Sequence, residues 1–211
     1  MTENLIGITS EIETARKEEL MSRWDVYYQT IGDKPNDLVP EILKKYPIGR
    51  RGSLDLGAGN MRDSKFLLSE GFMRVVAVDE TVETLSYGCE GIELHICGVD
   101  SFESESEFDL AISFHTLFYV PEDRTKILFQ HVQKSLRSGG IFAFNVLGED
   151  DEWIVRGGPM YHSTAQSLAC LCRGFEVLED HEIKKHDFNV NPLGMVVPKY
   201  WHQHKVVLRK P

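Results

Sequence analysis

Two glycines, Gly57 and Gly59, follow a short apolar run and form the most chemically suggestive stretch of the sequence. Glycine tolerates positive φ and the close approach of another group, and a helix predicted just after the turn would offer N–H groups to a polar ligand. A dinucleotide-binding turn of the nicotinamide or flavin type would carry a third glycine at position 62, where this chain has Arg62. The turn therefore indicates a ligand site other than a pyrophosphate clamp, with an ordinary exposed turn as the alternative.

Two acidic residues follow the next predicted strands. Asp79 comes directly after the apolar residues 75–78, where a carboxylate can accept both hydrogen bonds of a ribose diol. Asp100 begins the loop after the third strand, close to where an adenine amino group would then lie. A strand-end cap for Asp79 and an Asx turn for Asp100 are the structural alternatives. Together with the glycine turn, the two carboxylates favour a ligand that contains a nucleoside.

These residues lie in a part of the chain where predicted strands and helices alternate. Apolar runs predict strands at 52–56, 73–79, 92–97, 108–114 and 141–147, with helices at 61–70, 81–87 and 122–136. Such alternation implies right-handed crossovers and a doubly wound, Rossmann-like α/β sheet of mostly parallel strands. Ligands of such sheets bind at the carboxyl ends of the strands, where the glycine turn and both acidic residues are expected.

The two ends of the chain differ from this core. Predicted helices at 11–28 and 37–46 form an N-terminal helical cover, and a helix at 163–171 precedes two long strand-like segments at 175–185 and 200–209. The last two segments predict an antiparallel C-terminal hairpin, which brings the sheet to seven strands. We expect one domain over residues 1–211, divided into the cover at 1–48, the core at 50–147 and the tail at 148–211.

The composition limits the class of protein. Lys and Arg total 23 against 33 Asp and Glu, a formal net charge of −10, which is unsuited to tracking nucleic acid phosphates. The apolar runs are shorter than a membrane span needs, and the N-terminal residues lack the pattern of a secretion signal. Four unevenly spaced cysteines do not form a disulfide framework. We therefore expect a cytoplasmic monomer or homodimer with no nucleic acid or membrane partner.

Other pairs of reactive residues point to structure rather than to chemistry. His202 and His204 alternate along a predicted strand, but a third ligand is not evident, so no metal is expected. Cys170 and Cys172 lie in a predicted helix at a spacing unsuited to a redox or zinc pair, and are expected in the core. Residues 150–151, two aspartates, are expected in a solvated loop.

Four segments together resemble class I S-adenosylmethionine-dependent methyltransferases. They are LDLGAGN at 54–60, VAVD at 76–79, FDLAIS at 108–113 and LRSGGIFAF at 136–144, in the order and spacing typical of that family. Arg62 and Ser64 look like the tellurite-resistance branch of the family, although Met61 stands where a glycine is common. The segments 148–153 and 199–202 resemble small bacterial methyltransferases.

The resemblance implies S-adenosylmethionine as the cofactor and gives the residues around the turn specific roles. Asp55 would orient the turn and the amino group of this methyl donor, Asp79 would bind the ribose, and Asp100 would hold the adenine. The other residues expected to contact the donor are Tyr28, Gly57, Ala58, Gly59, Asn60, Arg62, Glu80, Thr81, Ser101, Phe102, Ser113 and Phe114. For Tyr28, an apolar helix face shared with Trp24 is the alternative.

The resemblance also implies methyl transfer to a small-molecule acceptor, governed mainly by proximity and alignment. His115, after the fourth strand, is the candidate general base, or equally a packed residue beside the site. Trp153, Arg156 and Tyr161, after the fifth strand, are the candidate acceptor-binding residues; the alternative is a surface connection with Trp153 in the core. The second hypothesis is a protein that binds S-adenosylmethionine without transferring its methyl group, and a nicotinamide or nucleotide-sugar enzyme is a weaker third.

Overall fold

The computed structural model describes residue 24 and residues 26–105, 107–158, 160–191 and 194–211. Most of the predicted N-terminal helix at 11–28 lies outside these residues. Within them, residues 26–31 are helical.

Seven strands of the described chain form one sheet. They are β1 (Ser53–Leu56), β2 (Val75–Asp79), β3 (Ile92–Ile96), β4 (Phe108–Ser113), β5 (Leu136–Leu147), β6 (Glu176–Val190) and β7 (Val196–Arg209). Their order across the sheet is β3-β2-β1-β4-β5-β7-β6. The first five strands run parallel, and β7 pairs antiparallel with both β5 and β6. The predicted fold class, a doubly wound and mostly parallel sheet with an antiparallel C-terminal hairpin, is confirmed.

Helices connect the strands on both faces of the sheet. The α-helices after residue 31 are α1 (Leu38–Lys45), α2 (Arg62–Ser69), α3 (Glu122–Ser135), α4 (Glu152–Val155) and α5 (Ala165–Leu171), and 3-10 helices lie at Val82–Tyr87 and Leu117–Tyr119. Local sequence explains their starts: α3 follows Pro121, and α5 is capped by reciprocal hydrogen bonds between Thr164 and Ser167. None of the helices in the described part of the chain has the length and apolar character needed to cross a membrane.

The central strands are buried on both faces, which explains their unbroken apolar runs. On one face α3 and α5 pack over Phe142 and Phe144 of β5. On the other face α1 and α2 cover Leu110 and Ile112 of β4. The carboxyl ends of the neighbouring strands β4, β1 and β2 consequently lie side by side at one edge of the sheet.

Several expectations differ from the structure. β6 and β7 are longer than predicted because they pair with each other along their whole length, from Glu176 opposite Arg209 to Val190 opposite Val196. Cys170 is exposed rather than in the core, since α5 turns Leu168 and Leu171 inward, whereas Cys172 is buried as expected. Of the two aspartates at 150–151, the second is fully buried rather than solvated, because it has a buried cationic partner. The predicted helix at 81–87 is a 3-10 helix.

Candidate functional site

Gly57 and Gly59 form a turn that requires glycine at both positions. Their φ angles are +84° and +52°, in the left-handed region. A Cβ atom on Gly57 would lie 1.9 Å from Oγ1 of Thr116, and one on Gly59 would lie 2.8 Å from the ring of Tyr28. The backbone of the turn is tied to β2 by two hydrogen bonds, of 2.7 and 3.0 Å, to the carbonyl of Val78. The turn is therefore fixed in place and packed against by side chains from two other parts of the chain.

The Asp79 carboxylate, at the end of β2, stabilises this turn by hydrogen bonding. One oxygen accepts a hydrogen bond from the Gly59 N–H at 2.8 Å, and the other accepts from the Thr81 N–H at 2.9 Å and from the Thr81 hydroxyl. A carboxylate offers about four lone-pair sites, so Asp79 retains acceptor capacity for a ligand hydroxyl. The structure thus brings together Gly59, Asp79 and Thr81 as expected, whereas Glu80 is exposed.

Two further carboxyl groups, those of Asp55 and Asp63, are buried close to the turn. Asp55, on β1, is buried and accepts a hydrogen bond from the Ser64 hydroxyl at 2.6 Å. Burial raises the pKa of Asp55, and the charge of Asp63 raises that pKa further. Burial also raises the pKa of Asp63, which accepts the Asn36 N–H at 2.6 Å. Two buried carboxyl groups that repel each other favour a nearby cation, which suits an ammonium group; Asp63 was not singled out from the sequence.

The remaining turn residues connect it to neighbouring elements. Ala58 is buried with Met61 against β2. The Asn60 amide donates to the Gly32 carbonyl at 3.0 Å, which links the turn to the N-terminal cover. Met61 has a φ of +60°, uncommon for a residue other than glycine, and Arg62 then begins α2.

Three aromatic side chains, Tyr28, Trp24 and Tyr119, pack together beside the glycine turn. Tyr28 approaches Gly59, Trp24 stacks on Tyr28 with ring centroids 5.9 Å apart, and Tyr119 meets Trp24 edge-on at 5.7 Å. Burial and the charge of Asp79 raise the pKa of Tyr28, so its hydroxyl stays protonated. Both interpretations of Tyr28 are therefore compatible with the structure, since it shares a face with Trp24 and also contacts the glycine turn.

On the β3 side of the site, Asp100 is paired with a residue that the sequence analysis did not identify. Its Oδ2 accepts a hydrogen bond from Nε of Arg124 at 2.6 Å, and the Ser101 hydroxyl lies 3.4 Å from the same guanidinium. Phe102 packs edge-on against His95 at 5.0 Å between centroids. Arg124 thus fixes the orientation of Asp100, and Oδ1 is the oxygen that could accept from an adenine amino group.

Residues at the end of β4 have structural partners of their own. The Ser113 hydroxyl donates to the Leu56 carbonyl at 3.0 Å, and Phe114 is buried in the core beneath α1 and α2. The chain turns sharply at His115, whose φ is +58° and whose N–H donates to Oδ1 of Asn145 at 2.7 Å. Asn145 therefore positions the candidate base.

The His115 ring lies among aromatic side chains. Its centroid is 6.3 Å from the rings of both Phe118 and Trp201. Burial lowers the pKa of His115 to about 4, with smaller contributions from the positive charges of Arg62 and Lys205. The imidazole is therefore neutral at pH 7 and a weak base.

The three candidate acceptor residues have different surroundings. Trp153 packs near Phe118, with ring centroids 6.1 Å apart, and Tyr161 donates its N–H to the Phe118 carbonyl at 2.8 Å. A cavity of about 320 Å³ lies behind Phe118 and is lined in part by Tyr161 and Val146. Arg156 is 76% exposed and pairs with Glu152 at 2.7 Å. The structure thus brings Trp153 and Tyr161 close to the His115 region, but not Arg156.

The hairpin histidines acquire a third possible metal ligand in the structure. Within the described residues, Glu182 lies close to both His202 and His204. However, Nδ1 of His202 accepts the Asp150 N–H at 2.9 Å, so its Nε2 carries the proton that faces Glu182 at 2.9 Å. The ammonium of Lys184 also lies 3.2 Å from Glu182. These hydrogen bonds oppose metal coordination at this position.

Comparisons with known proteins agree with this geometry. Residues 54–144 match a family model described as a methyltransferase domain, and no curated protein matches the chain. N-methyltransferase NodS from Bradyrhizobium japonicum, solved with S-adenosyl-L-homocysteine, shares the fold with a TM-score of 0.64 at 14% identity, over 82% of this chain and 84% of that chain. TehB from Haemophilus influenzae shares the fold with a TM-score of 0.66 at 16% identity, over 83% of this chain and 62% of that chain. An S-adenosylmethionine-dependent methyltransferase from Mesorhizobium loti has a TM-score of 0.62 at 20% identity, over 81% of this chain and 96% of that chain.

The residues around the glycine turn suit S-adenosylmethionine as a cofactor. Gly57 and Gly59 allow the positive φ angles of the turn, Asp79 can accept a hydrogen bond from a ribose hydroxyl, and Asp55 with Asp63 favours an ammonium group. Residues 54–144 thus match a methyltransferase domain, the fold is shared with S-adenosylmethionine-dependent methyltransferases, and the groups around the turn suit S-adenosylmethionine as the cofactor.

Proposed function

We propose that this chain transfers a methyl group from S-adenosylmethionine to a small-molecule acceptor. The observation that carries the proposal is the glycine turn, which Asp79 braces from β2 and Tyr28 covers, beside the aromatic surroundings of His115. The net charge of −10 supports a small molecule rather than a nucleic acid as the acceptor.

The residues of the chain act mainly by binding and alignment. Bound S-adenosylmethionine supplies an electrophilic methyl group, and holding a nucleophile in line with it accounts for much of the acceleration. Asp79 and the buried pair of Asp55 and Asp63 hold the donor at its ribose and amino ends. His115 gives at most modest help as a base, because its pKa is about 4. An acceptor that is nucleophilic at neutral pH without a protein base, such as a thiol or another soft nucleophile, therefore suits this site best.

The direct test incubates the full chain with S-adenosylmethionine and an acceptor panel of small thiols, phenols, amines and tellurite. Tellurite is included because Arg62 and Ser64 resemble the tellurite-resistance branch. Mass spectrometry should detect S-adenosylhomocysteine together with a methylated product from at least one acceptor. Donor binding without any product would instead support the second hypothesis, a binding protein that lacks transferase activity.

Variants of the acceptor-side residues refine this test. Trp153→Ala should lower kcat/KM for the acceptor at least tenfold, roughly 1.4 kcal/mol of transition-state stabilisation, while donor affinity stays within a few-fold. Arg156→Ala should lower kcat/KM only for an anionic acceptor, because Arg156 is exposed and would first have to leave Glu152. Unchanged kcat/KM in both variants would move acceptor recognition to the N-terminal cover.

A further inference from the structure

A buried ion pair joins the turn after β5 to the start of β7. Lys199 is only 3% exposed and Asp151 is fully buried, and Nζ of Lys199 lies 2.6 Å from each carboxylate oxygen of Asp151. Asp151 also accepts the N–H of Trp153 at 3.0 Å and the N–H of His202 at 3.1 Å. Because an ion pair buried in this way often adds little net stability over apolar residues of the same volume, its position calls for another explanation.

The ammonium of this pair lies close to two indole rings that contact each other edge-on, with their centroids 5.3 Å apart. Nζ of Lys199 is 4.3 Å from the ring centroid of Trp153 and 3.7 Å from that of Trp201. A cation at these distances is attracted to both rings and so adds to the direct contact that holds them together. Trp201 contacts His115, and Trp153 contacts Phe118. The buried Trp201 therefore lies beside His115, and Trp153 lies beside Phe118.

Further hydrogen bonds attach the same turn to β7. The Tyr200 N–H donates to Glu152 at 2.7 Å, and the Gly148 N–H donates to the His202 carbonyl at 2.8 Å. A Cβ atom on Gly148 would lie only 2.3 Å from the His202 ring, so the two segments are in close contact. Hydrogen bonds and close packing therefore hold the turn against β7 on both sides of the ion pair.

We infer that Asp151 and Lys199 are positioning residues that hold Trp153 and Trp201 as an aromatic wall for the methyl acceptor. The acceptor then carries a planar aromatic or similarly apolar body next to its nucleophilic atom. This inference rests on the proposed function, and it names the class of acceptor and the residues that select it.

Thiophenol is the probe, because it combines an aromatic ring with a soft nucleophile that needs no protein base. The double variant Asp151→Leu/Lys199→Met replaces the ion pair with apolar side chains and releases the indoles from the cation. We expect the KM for thiophenol to rise at least tenfold, with kcat and the KM for S-adenosylmethionine each within threefold of the wild-type values. A purely structural pair would leave the thiophenol KM unchanged in any folded double variant.

A matched control removes the neighbouring ion pair between Asp150 and Lys184, which is exposed and joins the same turn to β6 at 2.9 Å. The double variant Asp150→Leu/Lys184→Met should keep the thiophenol KM within threefold. Trp153→Leu leaves the buried pair intact and should also raise this KM tenfold, which provides the test if Asp151→Leu/Lys199→Met does not fold.

Three results would overturn the inference. In the first, the thiophenol KM stays within threefold in Trp153→Leu or in the folded buried-pair variant. In the second, the wild-type protein methylates another member of the acceptor panel but not thiophenol, which leaves the proposed function standing. In the third, no acceptor is methylated although S-adenosylhomocysteine binds, which removes the proposed function as well.

Discussion

At the scale of single residues, Asp79 accepts hydrogen bonds that stabilise the glycine turn, and we propose that it also accepts hydrogen bonds from the ribose of the methyl donor. Asp79→Asn keeps the shape but removes the charge and replaces one acceptor oxygen with a donor, which cannot accept the Gly59 or Thr81 N–H. We expect the affinity for S-adenosylhomocysteine to fall by about 2–3 kcal/mol, as measured by calorimetry. The exposed Asp123→Asn on α3 is the control. Normal binding by Asp79→Asn together with lost binding by Asp100→Asn would reverse the ribose assignment.

Gly59 allows backbone strain to be separated from steric conflict. An alanine at Gly59 adopts a φ of +52° and also meets Tyr28, whereas an alanine at Gly139 adopts a φ of +78° with nothing within 4 Å. Both variants should lose about 1 kcal/mol of folding stability to backbone strain. Only Gly59→Ala should displace Tyr28 and weaken S-adenosylhomocysteine binding at least tenfold in calorimetry. Equal affinities in the two variants would mean that the contact with Tyr28 does not shape the site.

Local spacing predicted part of this site and missed the rest for a physical reason. The glycine turn and Asp79 could be predicted because the carboxyl ends of adjacent parallel strands meet at one edge. Thr116 and Asn145 act only through contacts formed when distant elements pack: Thr116 fills the space beside Gly57, and Asn145 holds the N–H of His115. Nothing in their local sequence signals these partners.

At the scale of elements, Glu179 links β6 to α1. Although its burial acts in the opposite direction, hydrogen bonds from Lys45, Tyr46 and His181 lower the pKa of Glu179 to about 2. The resulting stabilisation is present above pH 4.5, the ordinary pKa of a glutamate, and is lost as the pH falls towards 2. Glu179→Gln should therefore lower the free energy of unfolding at pH 7 by about 1 kcal/mol, allowing for solvent screening.

Urea denaturation at pH 7, 4 and 2.5 measures this effect, and the difference between wild type and Glu179→Gln should shrink with each step. Glu176→Gln on the same strand is the control, because Glu176 is more exposed and its ion pair with Arg209, at 3.2 Å, stays within the hairpin. A difference that grows on acidification would contradict the link between β6 and α1.

Elements also differ in how far the sequence could predict them. The central strands could be predicted because burial on both faces leaves unbroken apolar runs. β6 is largely exposed and charged, so its length depends on pairing with β7 rather than on its own pattern. Asp151 was expected in solvent because Lys199, its partner 48 residues later, cannot be inferred from the surrounding loop.

At the scale of the whole molecule, ligand binding at the carboxyl edge of the sheet should stabilise the entire domain. A ligand at 100 times its Kd adds about 2.7 kcal/mol to the free energy of unfolding. For a chain of 211 residues this raises Tm by about 5–11 °C. S-adenosylmethionine and S-adenosylhomocysteine should both produce this shift in scanning calorimetry, because the glycine turn and Asp79 are fixed by the sheet.

NADH tests whether this stabilisation is specific. It contains adenosine, so it could use Asp79 and Asp100, but its pyrophosphate needs close approach at position 62, where the chain has Arg62 instead of a glycine. We therefore expect no shift in Tm with NADH, and a shift with S-adenosylhomocysteine that is reduced in Gly59→Ala. If NADH stabilised the protein as much as S-adenosylhomocysteine does, the turn would accept a pyrophosphate. A nicotinamide-dependent enzyme would then explain the ligand site better than a methyltransferase does.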